Sequence, residues 1–324
     1  MAQENIEMVR VNALAFTKPI YVLLYHPWLN GFKEYFAFHL SWLRENGFES
    51  ITLEDLIYYL RGEEVLIPER PIVITLDDGT IENFTIAYPL LKKYGFNSTV
   101  FAPTAKEYIN RSGRDWWKDV EEEGILRVEG HSHTHSFTFI NDQIEDFCTR
   151  ANSSQQPLIK GFDARPGAPI FEQGCELVSE RFIPHGEFMD MCVEYVMKQG
   201  GIRFFEKENW KEEMFHLVST YGGERGRYET EKEREERIDE ELKTSKEIIE
   251  ETIGHDKKVH FFAYPFGAHH FDLIEHLKKL GYIGAFTSHS DGNFMGEDPY
   301  LLNRMMILSK DSFGGIANIL KAYL

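Results

Sequence analysis

Long apolar runs are absent from this chain of 324 residues. No stretch of about 18 apolar residues occurs, so no segment reads as a membrane span. The N-terminus, MAQENIEMVRVNALAF, lacks a basic stretch leading into an apolar run and a cleavage site. With no export signal read, the cytoplasm is the expected location. Cysteine is scarce: Cys148, Cys175 and Cys192 are odd in number and form no C-x-x-C pair. That argues against a disulfide framework and for reduced, buried thiols. Positive charge is in deficit, with 35 Lys plus Arg against 53 Asp plus Glu and a formal charge of -18. Such a surface repels phosphate backbones and anionic lipid heads, which excludes nucleic acid as a partner. Hydrophobic residues, in contrast, make up 42% of the chain. Disorder is thereby excluded, and at this size roughly three quarters of the unfolded surface can be buried.

In the first third, short apolar runs alternate with helical patterns. Residues 20–25 (IYVLLY) predict a fully buried strand, and residues 34–46 a helix with Phe38, Leu40 and Leu43 inward, stopped by Gly47. A helix over 53–60, a strand over 72–76, a helix ending at Gly95 and a strand over 98–102 follow. Buried strands alternating with helices mean parallel pairing, in an open α/β sheet or a barrel. The last third repeats the style, with strands near 259–265 and 283–287 around a helix over 271–280. Between Phe137 and Lys243 it changes. Gly, Pro and Cys collect first, and a charge run over 229–241 follows, with Ile238, Leu242, Ile249 and Ile253 forming one buried stripe of a solvated helix.

Two clusters could carry chemistry. The strand over 72–76 ends in Asp77-Asp78-Gly79, putting two carboxylates where a parallel strand meets its loop, the edge at which α/β sites form. The bland alternative is a capping Asp beside a turn Asp. The second cluster, His131-Ser132-His133-Thr134-His135, holds three histidines; if it is helical, His131 and His135 share a face and can bind one metal while His133 points away. A surface histidine-rich turn is its alternative. Two imidazoles and one carboxylate leave positions open on a Zn²⁺-like ion, which suits catalysis rather than structure.

On these residues the sequence resembles polysaccharide deacetylases of the NodB-homology, carbohydrate esterase family 4 type. The T-F-D-D-G motif of that family stands here as Thr75-Leu76-Asp77-Asp78-Gly79, its H-[ST]-x-x-H motif as His131 to His135, and its A-Y-P-[YF]-G motif as Ala263-Tyr264-Pro265-Phe266-Gly267. In motif style the sequence is most similar to the poly-N-acetylglucosamine deacetylases. The resemblance implies a distorted (β/α) barrel. It makes Asp77 the general base, Asp78, His131 and His135 the ligands of Zn²⁺ or another divalent transition metal, and the Phe266 backbone N–H an oxyanion donor. The expectation is one deacetylase domain over 1–324 with a long α-rich insertion over 137–243, acting on an N-acetylated sugar or glycan.

Two departures from the family matter. Ala263 stands where many relatives carry an Arg that steadies the base, and Arg304 in LLNRMMI is the expected substitute. The C-terminal Leu-x-x-His that supplies a general acid is also missing. His26, in YVLLYHPW, resembles the Tyr-His of relatives in which that strand is permuted to the front and is the expected acid, with His289 second. Trp28, beside His26, is the expected sugar platform, whereas Trp116 and Trp117 read as core. Rival readings are an amidase for a small non-sugar amide or cyclic imide, and a catalytically idle glycan-binding barrel. The intact Asp-His-His set argues against a metal-free branch of the first, and with the unbroken base it argues against the second.

Overall fold

In the computed structural model, which describes residues 10–105, 114–152, 158–254, 256–308 and 313–320, seven short apolar segments pair side by side. In chain order they are β1 (Tyr21–Tyr25), β2 (Pro71–Leu76), β3 (Ser98–Ala102), β4 (Leu126–Gly130), β5 (Phe261–Ala263), β6 (Gly284–Phe286) and β7 (Met305–Ile307). They lie in the order β6-β5-β4-β3-β2-β1-β7, every neighbouring pair parallel. Every residue of β2 and β3 is buried. A parallel sheet is covered on both faces, which is why these strands read as unbroken apolar runs rather than as alternating ones. The two ends of the row meet: Leu302, just before β7, donates its N–H to Ala285 and accepts from Thr287, at 3.0 and 2.8 Å. The sheet therefore curls into a distorted (β/α) barrel, as the motifs led us to expect.

Local signals set the helices that follow the strands. The helix Leu53–Leu60 is started by Thr52, whose Oγ1 accepts from the Asp55 N–H at 3.1 Å while the Asp55 carboxylate accepts from the Thr52 N–H at 3.1 Å. This reciprocal cap satisfies two donors that a helix end otherwise leaves orphaned. The helix Phe32–Glu45 buries Phe36, Leu40 and Leu43. Phe38, expected inward, is 54% exposed, because two residues from Phe36 and from Leu40 is about half a helical turn and puts it on the far side. Trp117 is buried, whereas Trp116 is exposed.

The chain folds as two compact units, Met1–His133 with Glu241–Leu324, and Thr134–Glu240. The second unit has its own core, including Phe139, Phe147, Phe171, Phe188 and Cys192. Its helices Gly186–Lys198 and Trp210–Ser219 are joined by a sheet that the Gly- and Pro-rich sequence concealed. There Phe137–Phe147 pairs antiparallel with Pro169–Cys175 through register shifts, and Ile159–Lys160 adds in parallel. Ile238, Leu242, Ile249 and Ile253 are all buried along the helix Glu231–Ile253. All three cysteines are free and buried. Among the described residues no helix is long and apolar enough to cross a membrane.

Inside the second unit the buried Glu229 and Arg237 are paired. The Arg237 Nε donates to Glu229 Oε2 at 2.9 Å, and the Arg181 backbone N–H donates to Glu229 Oε1 at 2.8 Å. Burial would raise the Glu229 carboxyl, but Arg237 and the Arg181 N–H outweigh it and hold it below its ordinary 4.5. A carboxyl depressed by folding contributes its full stability above the unfolded value and loses it as pH falls through the folded one. Glu229→Gln should therefore lower the urea midpoint of the protein at neutral pH. The deficit should shrink as pH falls from 4.5 through the folded carboxyl value, as followed by circular dichroism.

Candidate active site

The loops that leave β2, β4 and β5 at their C-terminal ends carry the three motifs. Among the described residues, four non-glycine residues have positive φ, and all four lie in these loops: Asp78 (70°), Ser132 (65°), His135 (49°) and Phe266 (59°). Each costs about 1–3 kcal/mol, a strain that folds tolerate where the surroundings over-determine the backbone. Gly79 is required for a second reason. Its φ is +54°, and a Cβ there would sit 2.6 Å from the Ala102 Cβ at the end of β3.

Asp77 directly follows β2 and is 3% exposed. Arg304, 1% exposed at the start of β7, donates Nη1–H to Oδ1 at 2.7 Å and Nη2–H to Oδ2 at 2.9 Å, a bidentate pair. Its Nε donates to the Thr287 carbonyl at 2.9 Å, and its guanidinium lies over the Phe101 ring at 5.4 Å. Burial alone would raise the Asp77 carboxyl. The Arg304 charge, with smaller help from His131 and His26, more than offsets this and holds it below the ordinary value, so Asp77 is ionised at neutral pH.

His131 leaves β4 and is likewise buried. Its Nδ1 donates to the carbonyl of Ala263 at 2.8 Å, which puts the proton on Nδ1 and leaves the Nε2 lone pair free of it. That Nε2 is 3.8 Å from Asp77 Oδ2 and 3.9 Å from Asp78 Oδ1. Burial lowers the His131 pKa more than the two carboxylates raise it, so the ring stays neutral, the form that ligates metals. Asp78, His131 and His135 each offer one ligand atom, and these atoms lie within 4.8 Å of one another. Segment 131–135 is not the helix that an i, i+4 pair would need. An irregular loop does the work, its direction set by the left-handed Ser132 and His135. His133 is outside the group, with Nδ1 2.8 Å from Thr104 Oγ1 and its backbone N–H donating to Glu241 at 3.2 Å. Two imidazoles and a carboxylate, with His131 tied through its other nitrogen to a carbonyl, fit a divalent ion of the zinc type.

His26 follows β1 directly and is partly buried on the same rim, close enough to Asp77 to act on its charge. His289 is exposed, and its carbonyl accepts the Arg304 backbone N–H at 3.0 Å. Phe266, 46% exposed, sits in the tight turn Pro265–Gly267. Sequence reasoning missed one contact: Trp28 Nε1 donates to Asp78 Oδ2 at 2.5 Å. The adjacency of Trp28 to His26 put it on the rim, but no spacing rule aims an indole at a residue 50 positions away.

Comparison with known proteins agrees with the fold and the motifs. Residues 67–165, which include Asp77, Asp78, His131 and His135, match the model of the polysaccharide deacetylase family. YxkH of Bacillus subtilis, named for polysaccharide deacetylation, is 30% identical over 120 residues, 35% of this chain and 42% of that protein. A poly-beta-1,6-N-acetyl-D-glucosamine N-deacetylase of Escherichia coli is 25% identical over 264 residues, 77% of this chain and 30% of that protein. The chain thus spans less than half the length of these relatives. A de-N-acetylase structure from Aggregatibacter actinomycetemcomitans superposes with a TM-score of 0.62 at 17% identity, covering 95% of this chain and 100% of that one, and so shares its fold.

The site geometry makes a direct prediction. Titration of the apo protein with Zn²⁺ should give one ion per chain, lost in His131→Ala and retained in His133→Ala. Binding that survives His131→Ala and fails in His133→Ala would reverse the assignment.

Proposed function

We propose that this chain is a metal-dependent hydrolase that removes N-acetyl groups from amino-sugar units of a glycan. Zinc or a similar divalent transition metal is held by Asp78, His131 and His135. The observation that carries this reading is an ionised, buried Asp77 clamped by Arg304 beside a cluster of one carboxylate and two imidazoles. The names of the relatives favour an N-acetylglucosamine polymer as substrate. Three free, buried thiols support the cytoplasm as its location.

When bound, a divalent ion supplies positive charge that acidifies water and polarises the acetyl carbonyl. Asp77 takes the proton of the attacking water. Arg304 holds both carboxylate oxygens, so the base is fixed in place and remains ionised until that proton arrives. The backbone N–H of Phe266 is the proposed donor to the oxygen on which negative charge develops, the task for which a pre-set turn costs no reorganisation. His26 gives a proton to the departing nitrogen, without which the C–N bond does not break. Arg304 acts through Asp77 and is a positioning residue.

Asp77→Asn should keep the metal while losing about 10²–10⁴-fold in turnover, measured as acetate released from N-acetylglucosamine oligomers. Normal turnover per bound ion in this variant would contradict the assignment of the base. His26→Ala should cripple N-acetyl substrates yet largely spare an activated acetate ester, whose leaving group needs no proton. Equal losses on both substrates would remove His26 from the acid role.

A further inference from the structure

Asp78 is the one carboxylate in the Asp-His-His cluster, and its two oxygens face different neighbours. Oδ1 lies 3.9 Å from His131 Nε2. Oδ2 accepts the Trp28 indole N–H at 2.5 Å. An indole nitrogen only donates, and a donor to an ionised oxygen makes a short, directional bond. The indole is itself held. Trp28 follows the buried Pro27 in a turn closed by the Leu29 N–H on the His26 carbonyl at 3.1 Å, and its ring meets the His26 ring edge-on at 5.8 Å. From the other side Asp78 is held by its own left-handed backbone, φ 70°. The carboxylate is thus held from both sides, with Oδ2 on the indole and Oδ1 toward His131.

We infer that Trp28 is a positioning residue for the metal site: by engaging Oδ2 it fixes the rotation of the Asp78 carboxylate and leaves Oδ1 as the oxygen offered to the ion. The inference rests on the reading of Asp78, His131 and His135 as the ligands. It differs from the sugar-platform role that an exposed tryptophan beside a cleft suggests, since it depends on the N–H and not on the face of the ring. Trp28 is 49% exposed, so replacing it disturbs no core.

The test is Trp28→Phe, which keeps an aromatic plane and deletes the donor, with Asp78→Ala as its reference. Apo protein of each variant is titrated with Zn²⁺ against a chromophoric chelator, and the Co²⁺-loaded protein is examined by its visible d–d absorption. Loss of a hydrogen bond to a ligating group typically weakens binding about 10–100-fold. Trp28→Phe should fall in that range, with a Co²⁺ spectrum altered in intensity because the freed second oxygen changes the ligand field. Asp78→Ala should lose binding almost entirely. If Asp78→Ala fails while Trp28→Phe keeps both wild-type affinity and the wild-type Co²⁺ spectrum, the positioning role is overturned and the ligand reading stands. If Asp78→Ala binds as tightly as wild type, the ligand reading falls and takes this inference with it. A Trp28→Phe variant that differs only in KM for glycan, with metal affinity and spectrum unchanged, would make Trp28 a sugar platform and also refute the proposal.

Discussion

Taking a carboxylate and a guanidinium out of water costs several kcal/mol per ion, recovered only when the geometry is excellent and the remaining donors are met. Asp77 and Arg304 satisfy that condition through two parallel bonds, with the Arg304 Nε satisfied by Thr287. The planar fork of arginine suits this task where a lysine would offer a single point charge. Asp77 directly follows β2 and Arg304 directly precedes β7, two strands separated in the sheet by β1, so the pair ties the row together across its interior. Opening that end of the barrel would leave each charge without its partner. Barrel closure and an ionised Asp77 are thus met by one interaction.

The same economy governs the rim. The strands are regular and buried, and among the described residues the left-handed backbone of non-glycine residues is confined to Asp78, Ser132, His135 and Phe266. Strain of this kind survives only where a rigid frame imposes it. Each strained residue lies within four positions of the last residue of a barrel strand or adjoins a side chain of the site, except that His135 stands one position further out. The frame supplies stability, and the loops use some of it to aim side chains and N–H groups that a relaxed loop would leave averaged.

The legible parts of this protein were those coded locally. Unbroken apolar runs gave away β1, β2 and β3 because burial on both faces removes the alternation that solvent would impose. The four-residue histidine spacing was also visible, but its usual explanation, a helix, does not apply here; a loop with two left-handed residues reaches the same outcome. Phe38 misled because a helical stripe is decided by all its members, and Phe36, Leu40 and Leu43 outvoted it. The sheet of the second unit escaped notice because glycine, proline and register shifts interrupt the period-two pattern. Arg304 could be named only by asking what replaces the arginine missing at Ala263. The Trp28–Asp78 contact depends on how two turns face each other, which no spacing along the chain records.

The separation of Asp77 from Arg304 along the chain has a further consequence for how the molecule is made. The two are 227 residues apart, so at ordinary rates of synthesis of about 5–20 residues per second the carboxylate leaves the ribosome on the order of ten to forty-five seconds before its guanidinium. Throughout that interval β2 can pair with β1 and β3, but Asp77 can enter the interior only as an unpartnered charge or a protonated acid. Full burial of the charged Asp77 must wait for β7. Assembly of this rim is therefore a late event in the birth of this protein, and a nascent chain stalled before residue 304 holds the Asp77 and histidine motifs without the cation that keeps its buried acid charged.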